Sequence, residues 1–210
     1  TVFCRDWTSF SYCKSRNYRA RFLVADDIAL SMNAKEFLDK NPSDPTFEEL
    51  CFRQRLEDSL ITLPNGKKIL LLLRSDREGT LRADKEIYKG FNTFDLSALH
   101  SDDCENPEIN RKYAKLFLSL IDQADIVLSD RLHGAIGSFL MNKEVYMLDN
   151  SYGKLSNTFE LSFSKYPHVH FLKDPDDFPF WQDMNPTAFD YDRAIVPLKP
   201  LQTDSNHFMV

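Results

Sequence analysis

Four short polar segments hold most of the side chains in this sequence suited to binding or moving charge. Cys4-Arg5-Asp6, Arg74-Ser75-Asp76, Ser129-Asp130-Arg131-Leu132-His133-Gly134 and Asn150-Ser151-Tyr152-Gly153-Lys154 each follow a short apolar run. Among them are Arg5, Arg74, Arg131 and Lys154, and guanidinium forks match carboxylate or phosphate oxygens two at a time. His133 adds an imidazole that titrates near neutrality and suits proton transfer. The chain as a whole is acidic, with 26 Lys and Arg against 32 Asp and Glu. Cations gathered at a few points of an acidic protein predict a site for a small anion, a phosphate or carboxylate. Ser129 to Gly134 also leads into a helical pattern, whose first N–H groups favour negative charge. Ser151 to Gly153 offers a hydroxyl and flexible backbone before a second helix start. Neither segment is a P-loop or a dinucleotide fingerprint.

The elements that must position these residues alternate in kind. Val2 and Phe3 run as a strand into Cys4, and Arg21–Ala25 reads as another. Phe47 to Ile61 has helical spacing. Leu63-Pro-Asn-Gly-Lys67 is turn chemistry, and Lys68 to Leu73 is a strand apolar on both faces, as parallel sheets require. Phe94 to Ser97 is a weak strand. Asn106-Pro107 opens a helix running to Gln123. Strands over Ala124–Leu128, Glu144–Leu148 and His168–Leu172 follow, with a helix over Ala135–Met141. This order predicts an α/β fold, a Rossmann-like parallel sheet flanked by helices. Ligands of such sheets bind beyond the carboxyl ends of the strands. Taken as parallel neighbours, the strands would aim Arg5, Arg74, Arg131, His133 and Lys154 into one crevice. A domain over 1–175 is expected, with 176–210 as an aromatic wrap packed on it by Phe178, Phe180 and Trp181.

Composition sets the outer bounds. At roughly 150 residues per domain, 210 residues make one large domain or two small ones. The 42% apolar and 28% charged fractions are those of a folded globule. A net charge of −6 argues against a nucleic-acid coat or a polybasic membrane surface. The longest apolar run, Ile69 to Leu73, is far below the ~20 residues of a membrane span. The opening Thr-Val-Phe-Cys-Arg-Asp lacks a secretory layout, so the cytoplasm is the expected location. The abrupt start on a strand leads us to expect a further N-terminal domain upstream. Cys4, Cys13, Cys51 and Cys104 form no C-x-x-C pair and are expected as free thiols, with Cys4 and Cys13 the pairing to check. His168 and His170 alternate on a strand, but no metal site is expected.

Ser129 to Ile136 (Ser-Asp-Arg-Leu-His-Gly-Ala-Ile), followed by Leu148 to Lys154 (Leu-Asp-Asn-Ser-Tyr-Gly-Lys), resembles the signature of the polysaccharide pyruvyl transferase family. Phe3 to Ser9, Leu23 to Ala29 and Leu73 to Asp76 stand in the family's order, so the resemblance spans about three quarters of the chain. It implies transfer of the enolpyruvyl-derived group of phosphoenolpyruvate onto a sugar of a cell-surface or exopolysaccharide, with a lipid-linked saccharide among the acceptors to consider, as a ketal with release of phosphate. It also implies a two-domain enzyme of GT-B type, of which this chain would be the C-terminal, donor-binding half. Arg131 and His133 would then be catalytic. Arg5, Arg74, Ser129, Asn150, Ser151, Tyr152, Gly153 and Lys154 would bind substrate. Phosphoenolpyruvate would be the donor substrate, with no cofactor or metal.

Each residue also has a plainer use. His133 suits a helix N-terminus, Arg131 a pair with Asp130 or Asp149, and Arg5 a pair with Asp6. Arg74 lies near Asp76 and Glu78. Asn150 and Ser151 are ordinary caps, and Asp26-Asp27 reads as a cap or turn with no catalytic part. Two other functions stand beside the transferase. A nucleotide-sugar glycosyltransferase domain would want a carboxylate for a ribose near a late strand, and no convincing one is visible. A non-catalytic binding domain, with Phe178 to Tyr191 as its partner surface, would tolerate loss of Arg131 and His133.

Overall fold

Ile69 to Leu73 is apolar at every position, and a strand of that kind needs cover on both faces. In a computed structural model describing residues 1–16, 19–39, 59–74, 91, 93, 106–149 and 153–184, it has that cover. Strand β4 (Lys68–Leu72) lies in a five-stranded sheet of order β3-β4-β5-β6-β7, with β3 Leu60–Thr62, β5 Ile126–Ser129, β6 Glu144–Leu148 and β7 Val169–Leu172. β4 to β7 are parallel, in register Leu72 to Ser129 to Met147, and β3 pairs antiparallel at the edge. The fold is therefore mixed α/β with a mostly parallel sheet.

Side chains alternate across the sheet as the pleat demands. Ile69, Leu71, Ile126, Leu128, Tyr146 and Leu148 share one core with Phe178, Trp181 and Met184, while Phe180 packs against it. On the other face, Leu70, Leu72 and Val127 meet Leu118 and Ile121 of helix α3 (Pro107–Gln123), and α2 (Ala34–Asp39) joins the same cluster. Val145, Met147 and Val169 meet Ile136 of helix α4 (Leu132–Leu140), together with Leu155 and Phe163. Each such fully buried Leu or Ile contributes about 1.5–3 kcal/mol.

Local sequence explains most boundaries. The Asn106 side chain accepts from the Glu108 N–H, and Pro107 occupies the first turn of α3. Three boundaries differ from the sequence reading. Leu60 and Ile61 do not end a helix: they form β3, folded onto β4 through the Leu63–Lys67 turn, where Gly66 has φ +84°. An x-Pro-Asn-Gly segment between apolar runs is a hairpin signal that outranks helical spacing. The remainder of the helix expected over Phe47–Ile61, and the weak strand at Phe94, lie outside the described residues. Helix α4 begins at Leu132, so His133 and Gly134 sit in its first turn and not in a loop.

The third difference concerns sheet membership. β1 (Val2–Cys4) pairs only with β2 (Phe22–Val24), in parallel, through the crossover helix α1 (Trp7–Ser15). It is not a neighbour of β4 to β6. Residues just beyond β2 tie this small sheet to the body. The Ser162 hydroxyl donates to Asp26 Oδ1 at 2.7 Å. Asp27 lies beside His133. Ala29 and Leu30, on the 3-10 turn Ile28–Ser31, pack into the Val145–Met147 core. Among the described residues, no helix is long and apolar enough to cross a membrane.

Candidate active site

The carboxyl end of β5 is held open by its own buried polar residues. Ser129 is fully buried, and its hydroxyl lies 3.1 Å from Leu72 O, 3.0 Å from Arg131 O and 3.1 Å from the Arg131 N–H. It donates to a carbonyl and accepts from the N–H, locking the turn that delivers Arg131 to the N-cap of α4. Asp130, 1% exposed, accepts the Arg74 N–H on Oδ1 at 2.8 Å and so pins the end of β4 to that of β5. Gly134 is required by close approach: a Cβ there would stand 2.5 Å from Ser129 Oγ and 3.4 Å from Arg131 Cβ.

This scaffold presents His133 at the rim, with its side chain 64% exposed. Across from it lies Asp27, whose side chain is only 6% exposed. Asp27 Oδ1 accepts the Ala29 N–H at 3.1 Å, capping the 3-10 turn. Its Oδ2 accepts from the Arg5 guanidinium at 3.0 Å and stands 4.0 Å from His133 Nε2. Burial pushes the Asp27 carboxyl upward, but the Ala29 N–H, Arg5 and His133 together outweigh it and hold it below the usual 3.8. At His133 burial acts first and lowers the pKa below the usual 6.5; Asp27 opposes this, while Arg5 and Lys154 add to it. The ring therefore holds a proton less firmly than an ordinary histidine.

Lys154 follows β6 and opens the short helix α5 (Lys154–Thr158), after Gly153 in the left-handed region at φ +64°. Asp149 Oδ1 accepts the Leu155 N–H at this helix start. Among the predicted site residues, Arg5, His133 and Lys154 converge electrostatically. Arg131 sits two residues ahead of His133, and Arg74 lies against Asp130. Ser129 and Gly153 shape the backbone around them. Asn150, Ser151 and Tyr152 lie outside the described residues. His168 and His170 do not form a pair: His168 stacks on Phe139, and His170 on Tyr146. Among the described residues, no three His, Cys, Asp or Glu side chains are grouped as a metal site, and Cys4 and Cys13 are free thiols.

The sequence reading missed Asp27. Its expected role as a cap is correct, yet the same carboxylate also bridges Arg5 and His133. The available signal was its position, since Asp26-Asp27 follows β2 just as the cationic segments follow their own strands. A second correction concerns Arg5, which reaches the crevice from the separate β1–β2 sheet and not from a neighbour of β4.

Arg5, Lys154 and His133 gather beside the carboxyl ends of β5 and β6, and the fold defines the class: an α/β protein with a mostly parallel sheet flanked by helices. More specifically, the chain belongs to the polysaccharide pyruvyl transferase family, a family of transferases, whose pattern matches residues 1–152, the N-terminal part of this chain and not its C-terminal end. A crystal structure of a functionally uncharacterised protein from Klebsiella pneumoniae subsp. pneumoniae is similar at 26% identity, with a TM-score of 0.57. The likeness covers 82% of this chain and 54% of that one, so the chain spans about half the length of that protein. No curated protein matches the chain significantly.

Proposed function

We propose that this chain binds phosphoenolpyruvate and takes part in transferring its enolpyruvyl-derived group to a saccharide as a ketal, with release of phosphate. The observation that carries this reading is the meeting of Arg5, Asp27, His133 and Lys154 at one rim, within a family of pyruvyl transferases. Phosphoenolpyruvate has a carboxylate and a phosphate, and each suits a guanidinium or ammonium partner. Arg131, Arg5 and Arg74 would hold the donor, with Lys154 and the Asn150–Gly153 segment around its phosphate. In the reaction the donor methylene carbon gains a proton, sugar oxygens bond to the neighbouring carbon, and phosphate departs with its bridging oxygen. Two sugar hydroxyls each lose a proton. The neutral form of His133 is the form that accepts one of them. The whole enzyme would follow a GT-B-type plan, and this chain would supply its donor side.

Calorimetry with phosphoenolpyruvate tests the reading on this chain, on Arg131→Ala and on His133→Ala. Binding is expected in the parent and should weaken by at least about tenfold in Arg131→Ala, the cost of one charge-assisted contact. Turnover is followed as phosphate released in the presence of saccharide acceptors. If the full-length enzyme binds a nucleotide sugar and ignores phosphoenolpyruvate, a glycosyltransferase replaces this proposal.

A further inference from the structure

Asp27 is a buried carboxylate at the rim, and it faces both Arg5 and His133, to which the proposed function assigns chemistry. One oxygen is committed to the Ala29 N–H, which fixes the carboxylate plane. The other is shared by the Arg5 guanidinium at 3.0 Å and His133 Nε2 at 4.0 Å. We propose that Asp27 is a positioning residue, one carboxylate oxygen that sets the place of Arg5 and steadies the proton that His133 takes up. The inference rests on the pyruvyl-transfer reading for its consequence in catalysis, though the coupling itself does not.

The argument is geometric. With Oδ1 committed to the Ala29 N–H, Oδ2 is the oxygen that meets both Arg5 and His133, and its two lone-pair directions suffice for both. Arg5 follows β1 of the small sheet and His133 lies on helix α4 of the main body, and Asp27 stands within reach of both. The gap of 4.0 Å is too long for a hydrogen bond to neutral imidazole. It is short enough for an imidazolium to close, so the contact strengthens when His133 gains a proton. The charged groups facing His133 are Asp27, Arg5 and Lys154. Only Asp27 favours the protonated ring, and the two cations oppose it. A base that takes a proton between two cations needs such a counter-charge.

The test follows the five histidines of the full chain by NMR, with labelled imidazole carbon and the His133 signal assigned from His133→Gln. Asp27→Asn keeps an oxygen for the Ala29 N–H and removes the charge. The His133 midpoint is expected to fall in this variant and to stay in place in Asp26→Asn, whose contact is with Ser162. Arg5→Gln should move the midpoint upward, and it keeps the proposal open to refutation should Asp27→Asn fail to fold. With phosphoenolpyruvate and acceptor, Asp27→Asn should lower kcat about 10- to 100-fold, the scale of a misplaced catalytic group. The acid limb of its pH profile should follow the His133 midpoint downward, and Asp27→Glu should recover part of the rate. A His133 midpoint indifferent to folded Asp27→Asn or to Arg5→Gln overturns the proposal, as does a midpoint shift that leaves kcat unchanged. A parent enzyme that does not turn over phosphoenolpyruvate overturns the pyruvyl-transfer reading instead, while the midpoints still decide the coupling.

Discussion

At His133 the balance of burial, one carboxylate and two cations leaves the imidazole holding its proton less firmly than in the unfolded chain. As pH falls through about 6.5 the unfolded chain therefore takes up protons that the native state resists, and stability declines. Above that value His133 has no effect on the slope. Asp27 acts lower: the stability it adds is complete above its usual 3.8 and is lost as pH falls through its depressed folded value. The expected result is a melting temperature that drops from pH 7.5 to 5.5 in the parent and drops less in His133→Gln, taking the range as about one unit either side of an ordinary histidine. Gly134 makes a separate demand. A Cβ at this position would stand so close to Ser129 Oγ that Gly134→Ala should cost about 1–3 kcal/mol in denaturant unfolding. The same crowding would displace Arg131 and His133.

At the scale of elements, the parallel strands are buried on both faces, and the two covers differ in kind. Helices α2, α3 and α4 cover one face. The other is covered largely by the segment after β7, in which Phe178 and Trp181 pack edge to face at 5.2 Å. Trp181 Nε1 donates to Pro175 O at 2.7 Å, which fastens this segment to its own 3-10 turn. Tyr146 is ringed by His170, Phe178 and Phe180 and donates its hydroxyl to Glu144. Without the wrap, Leu71, Leu128 and Leu148 would face water. Trp181→Ala should therefore lower stability by about 3–5 kcal/mol, read from chemical denaturation. The loss should be greater than for any single substitution on the rim.

Across the whole molecule, the site depends on two sheets staying together. A two-stranded sheet is marginal alone, and β1–β2 carries exposed apolar side chains, including Phe3 on β1 and Trp7 on the following helix. Its attachment runs through Asp26 to Ser162, Asp27 to His133, and the Ala29–Leu30 packing. Ser162 is buried and 136 residues from Asp26, so this one bond spans most of the chain. Ser162→Ala should cost about 1 kcal/mol. Its signature is local: amide exchange at Phe22–Val24 should speed up by about fivefold while the β5–β6 core is unmoved.

The order of elements from β4 to β7 and the apolar centre of the sheet were legible in the sequence, because each follows from local pattern, whereas α1, α2 and β3 were not read. Period-two and period-3.6 spacing reveal strands and helices. Asn106-Pro107 marks the start of α3, and Ser129 to Gly134 marks a strand-to-helix turn. Leu60 and Ile61 were misread because a short apolar pair fits either period, and only pairing with β4 selects the strand. Sheet membership escaped for a deeper reason. Strands carry no local mark of their partners, so β1 reads the same whether it lies beside β4 or, as here, beside β2. Asp27 was hidden by the same limit. Its sequence neighbours explain the cap on Ala29, whereas Arg5, 22 positions away, is brought to it by the pairing of β1 with β2, and His133, 106 positions away, by the packing of this small sheet beside α4.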